Sequence, residues 1–93
     1  MGDPFEPRQE PARSIYLAFQ DEARKRKTRS VPEWVAAERA RVHEQAQEQA
    51  RRLGLRAPSL EEVRLAEVSA KGHIDYGLKW ALRVSEFMRQ PPT

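Results

Sequence analysis

The chain has no cysteine among its 93 residues, so it has no disulfide, no thiolate metal site and no thiol nucleophile. That fits a reducing, cytoplasmic setting. No apolar run approaches the roughly 20 residues that a membrane-spanning helix needs. The opening stretch, MGDPFEPRQEPAR, carries acids and prolines where a signal peptide has an apolar segment. Gly2 follows Met1, but Glu6 stands where the myristoylation pattern wants Ser or Thr, which sets that modification aside. Histidines are scarce: His43 and His73 show neither H-x-x-x-H nor H-E-x-x-H spacing, so no metal motif is present. A glycine-rich phosphate loop, a G-x-S-x-G elbow and a paired-carboxylate signature are also missing. The reading is therefore of a protein with no catalytic residue, no metal ligand, no cofactor and no membrane partner.

Charge of one sign is scarce as well. With 17 basic and 14 acidic residues the net charge is +3, far from a polycationic nucleic-acid tail. A third of the residues are charged and 39% are hydrophobic, which is a globular rather than a disordered composition. At this length the apolar reserve is modest, so a partner or a second copy is a natural source of extra stability.

What is present is helix. Residues 1–10 carry Pro4 and Pro7 without periodicity and read as an extended arm. Ala12, Ile15, Tyr16, Phe19 and Ala23 then fall at spacings of three and four, predicting a first helix over about 11–27 that ends in the basic run RKRK. Ser30 with Glu33 forms an S-x-x-E capping box, with Pro32 in the first turn, opening a second helix over about 31–53. Its apolar stripe is thin, namely Val31, Trp34, Val35, Val42, Ala46 and Leu53, with Glu38 inside it; Gly54 terminates it. A second capping box, Ser59 with Glu62, opens a third helix, which the pattern carries unbroken over about 60–89, with Gly72 and Gly77 the places where it could bend. The fold class is all-α with three helices in one domain, 11–90. The arrangement is either a helical bundle or a long-helix hairpin plus a short N-terminal helix, with 91–93 a tail.

The third helix carries a seven-residue repeat. Val63, Ala70, Gly77 and Val84 form one row and Ala66, His73, Trp80 and Phe87 the next, the a and d positions of a helix pressed against another helix. The expected interaction seam is Ala70, His73, Ile74, Tyr76, Gly77, Trp80, Ala81, Val84 and Phe87. Leu60, Val68, Leu78 and Leu82 lie on a different face, with Leu65 between; a helix apolar on two faces is either central in its fold or exposes one face to a partner. His73 reads better as a histidine packed among aromatics than as a general base, and Asp75, four residues from both Lys71 and Lys79, as a surface ion-pair residue.

Two further features concern other partners. Arg24, Lys25, Arg26, Lys27 and Arg29 make a basic patch that suits phosphates or an acidic surface, although complementing the helix dipole is the commoner role. ARRLGLRAPSLEEV, residues 50–63, spaces Ala50, Gly54, Leu55, Leu60 and Val63 like a helix-turn-helix, but Glu61, Glu62 and Glu67 would crowd DNA with negative charge. A small DNA-binding protein using residues 50–64 and the basic patch is the competing reading. SIYLAF in the first helix has the spacing of a sliding-clamp-binding peptide without its leading Gln; Tyr16 and Phe19 are better explained as core.

Taken together, EPARSIYLAFQDEARKR, SVPEWVAAERARVHEQA and GLRAPSLEEVRLAEVSAKGHIDYGLKWALRVSEFM resemble the small helical proteins encoded by actinobacterial phages, mycobacteriophages especially. The resemblance runs from Pro11 to Met88 and brings no catalytic residues. It implies a cytoplasmic protein of the infected cell that binds a host or phage protein and modulates a host process. A long heptad-bearing helix would suit a helical or coiled-coil host protein, such as a polar-growth or division scaffold, or a second copy of the chain.

Overall fold

Two serines start two of the helices, each by the same local device. Ser30 accepts from the Glu33 amide while Glu33 reaches back to the Ser30 amide, and Ser59 and Glu62 repeat the exchange. Each box satisfies amides that the first helical turn leaves without partners. The computed structural model describes residues 9–90. They form α1 (Ala12–Ala23), a 3-10 segment (Arg24–Thr28), α2 (Val31–Leu53), α3 (Leu60–Ala70) and α4 (Tyr76–Arg89). The chain is all-α, as its composition and periodicity predict. The tail at 91–93, and all of the arm at 1–10 except Gln9 and Glu10, lie outside the described residues.

The expected single helix over 60–89 is two helices. Residues 70–73 make a type II turn: Lys71 has φ −60° and ψ 137°, Gly72 has φ +85°, and the His73 amide donates to the Ala70 carbonyl at 3.2 Å. Glycine is the residue that takes that second central position most readily. The gain from breaking the helix is burial. An unbroken helix of that length would run ~45 Å, beyond the molecule's longest extent of 38 Å. Folded back, α4 runs antiparallel to α3, and the indole Nε1 of Trp80 donates to the Val63 carbonyl at 3.0 Å.

The first helix is likewise shorter than expected. It ends at Ala23, and the basic run winds into the tighter 3-10 segment instead of extending it. That winding accompanies two ion pairs, Arg26 to Glu38 and Arg29 to Glu22. Where Pro11 was expected inside the first turn it is the cap residue, and the Glu10 carboxylate accepts from the Ser14 amide at 2.9 Å. At the far end of α2, Gly54 adopts φ +68° and the Leu55 amide returns to the Ala50 carbonyl at 2.9 Å.

The four helices enclose one core. Ile15 and Phe19 from α1, Val42, Ala46 and Ala50 from α2, Val63, Ala66 and Ala70 from α3, and Trp80, Ala81, Val84 and Met88 from α4 pack together. α1 lies against both α2 and α4. It runs antiparallel to α4: Phe19 meets Gly77 near the start of α4, and Arg89 at its end donates to the Glu10 carbonyl. The small residues of α2 and α3 admit the bulky side chains of α1 and α4, so a short chain still closes a core.

Candidate interaction surface

The start of α4 lies close to a layer of buried ion pairs. Glu38, in the apolar stripe of α2, is 2% exposed and takes both ends of the Arg26 guanidinium at 2.5 and 2.7 Å. Glu67 of α3, also buried, takes Arg39 of α2 at 2.7 and 3.2 Å. These hydrogen bonds raise both arginine pKa values against the cost of burial. Tyr76, the first residue of α4, sits half-buried near both pairs. Burial pushes its phenol above the ordinary range, Glu67 and Glu38 push the same way, and the two arginines oppose them. Tyr76 also packs edge-on to Phe19 and tilted against Trp80, with ring centroids 5.8 and 5.6 Å apart. Arg26 in turn lies over the ring of Trp34 at 3.9 Å.

Above this layer, residues 71–75 stand out from the body. Ile74 is fully exposed, at 101% of its reference area. Beside it lies a groove of about 450 Å³ lined by Gly72, His73, Ile74, Asp75, Leu78, Lys79 and Leu82. A second groove, of about 250 Å³, has walls that include Tyr16, Phe19, Gln20, Arg26, Ile74 and Leu78. Both are open to solvent, and Ile74 lines both. Asp75 occupies the cap position of α4 with no side-chain bond to its amides. Lys71 and Lys79 are exposed, and no carboxylate among the described residues pairs with either.

The residues expected to form an interaction seam divide cleanly. Ala70, Gly77, Trp80, Ala81 and Val84 are buried, and the surface that covers them is the chain itself. Tyr76 and Phe87 are half-buried at the edge of the core. His73 and Ile74 are exposed in the turn, and His73 does not pack among the aromatics. The Asp75–Lys71 pair expected on a helix face is not formed, because that stretch is not helical. The second apolar face is the open one: Leu60, Leu65, Val68 and Leu82 are exposed and Leu78 half-buried.

The basic patch is partly committed. Arg26 and Arg29 are held by Glu38 and Glu22, Lys25 lies 3.6 Å from Glu22, and Arg24 makes a loose exposed pair with Asp21 at 3.9 Å. In the helix-turn-helix-like stretch, Arg56 is bound by Glu62 at 2.7 Å and donates to the Phe87 carbonyl at 2.6 Å, tying α3 to the end of α4. Val31, expected in the buried stripe of α2, is exposed. Among the described residues no group of three or more His, Asp or Glu is placed to hold a metal ion. No helix among them is long and apolar enough to cross a membrane.

Sequence reasoning named Leu78 and Leu82 as a separate face but did not bring them together with the turn. The signal was local: Gly72 at the third position of AKGH suits a type II turn, which ends the helix there. No protein-family model, curated protein or solved structure matches this chain.

Proposed function

We propose that the protein is a non-enzymatic binding module that acts by contact with another protein, through the surface centred on Ile74. The seam expected to do this is buried inside the chain, so docking through it would require α3 and α4 to part. The observation that carries the reading is Ile74 itself: a fully exposed β-branched residue on the turn before α4, lining two partly apolar grooves. Isolated exposed aliphatics are common; one that forms the shared wall of two grooves is a better recognition element. The resemblance to actinobacterial-phage proteins supports a host or phage protein as the partner, met in the cytoplasm of an infected cell, and modulation of a host process as the outcome.

The test compares the immobilised wild-type protein with an Ile74→Asp, Leu82→Asp variant of equal helix content. A protein retained by the first and lost by the second, and shown to bind directly when purified, is the expected result. Identical retention by the two overturns the reading. A duplex-DNA shift that weakens steeply with salt and is untouched by the variant would support the DNA-binding alternative instead.

A further inference from the structure

We infer that the occupant of this surface is an acidic amphipathic helix of a partner protein, seated with two apolar side chains astride Ile74. This rests on the proposal that the Ile74 surface is a protein-binding site, and adds what it binds. The first observation is the shape. The two grooves share Ile74, Asp75 and Leu78 as walls and are otherwise lined by different residues. Apolar residues one turn apart on a helix stand ~6 Å apart, which suits setting one on each side of an isoleucine. A lipid surface offers no such paired insertion, and a flat partner would leave both grooves unfilled.

The second observation is charge. Lys79 lines the larger groove, Lys71 flanks it at Gly72, and neither has a carboxylate partner among the described residues. The N-terminus of α4 adjoins the same residues, with no side-chain cap hydrogen bond, adding the positive end of a helix dipole. Asp75 is the one acid in either lining, against the uncommitted Lys79 and Lys71; Arg26 is spent on Glu38. By contrast, the buried acids Glu38 and Glu67 are neutralised by their own arginines. The local excess is therefore positive around an apolar floor, the complement of a helix with leucines on one stripe and glutamates beside it.

The probe is a fluorescently labelled helical peptide with leucines four residues apart flanked by glutamates, and a twin in which each glutamate is lysine. Anisotropy should show the acidic peptide binding and the basic twin failing to bind. Ile74→Asp and Lys79→Glu, both at exposed positions, should each weaken the acidic peptide by about tenfold or more, with affinity falling as salt rises. Equal binding of the twins, or no binding of either, overturns the inference. So does binding of the full chain to phosphatidylserine vesicles that Ile74→Asp abolishes while neither peptide binds, which would assign the surface to a membrane. If the peptides fail yet Ile74→Asp, Leu82→Asp still loses a directly binding protein, only the acidic-helix inference falls and the protein-contact reading stands.

Discussion

Gly77 meets the ring of Phe19 so closely that a β-carbon there would overlap the ring. Nothing about Gly77 demands a special backbone: it lies in the first turn of α4 with negative φ. It is glycine because α1 and α4 touch there. In an open helix, glycine to alanine would stabilise by about 1 kcal/mol. Here Gly77→Ala should destabilise by about 1–3 kcal/mol through overpacking, seen as a lower Tm. Phe19→Leu should restore part of that loss in the double variant, a coupling that a double-mutant cycle reads directly.

Gly72→Ala should also destabilise, for the opposite reason. A β-carbon at Gly72 meets nothing within 4 Å, but φ of +85° is a backbone that L side chains rarely adopt. The cost is about 1–2 kcal/mol, and Gly72→Asn should recover part of it, because asparagine tolerates such backbones. At position 77, asparagine should be worse than alanine. Chemical denaturation of the four variants separates backbone strain from steric overlap.

Trp80 and Trp34 differ in environment and should differ in fluorescence. Trp80 is 1% exposed, while Trp34 is only half-buried beneath Arg26. A Trp34→Phe protein should emit at shorter wavelength and resist acrylamide quenching; a Trp80→Phe protein should do neither. Trp80→Phe also removes the hydrogen bond to Val63 and should cost about 1–3 kcal/mol.

Acid should unfold the protein through its carboxylates. Hydrogen bonds from Arg29 and Arg56 hold Glu22 and Glu62 below the ordinary carboxyl value of 4.5, against the opposing effect of burial. Their contribution is complete above that value, where the unfolded chain is ionised too. It is lost as pH falls through the lower folded values, because protonation then favours the unfolded chain. Tm measured against pH should therefore decline below 4.5. An Arg29→Gln, Arg56→Gln variant should start lower and decline less steeply.

What could be read from the chain was what is local. Both capping boxes, the bounds of α2 and the glycine at its end rest on residues within one or two turns of each other, and they appear where expected. The heptad rows in 63–88 were also legible, but a buried pattern does not say what buries it. Val63 and Trp80 look like one face of one helix until Gly72 turns the chain back, and then they face each other. Arg26 and Arg29 looked like a solvated helix end because their partners, Glu38 and Glu22, lie 12 and 7 residues away. Only the packing of α2 beside α1 brings Glu38 into reach. Ile74 was placed in the seam by its spacing on a helix that does not pass through it.

The pairing of α1 with α4 also bears on synthesis. Of the four helices, α1 leaves the ribosome first and α4 last. The emerging chain can lay α1 on α2 early, but Phe19 waits for Gly77, Tyr76 and Trp80. Translation that stalls before residue 76 leaves that ring without its cover from α4, an apolar surface open to chaperones and proteases.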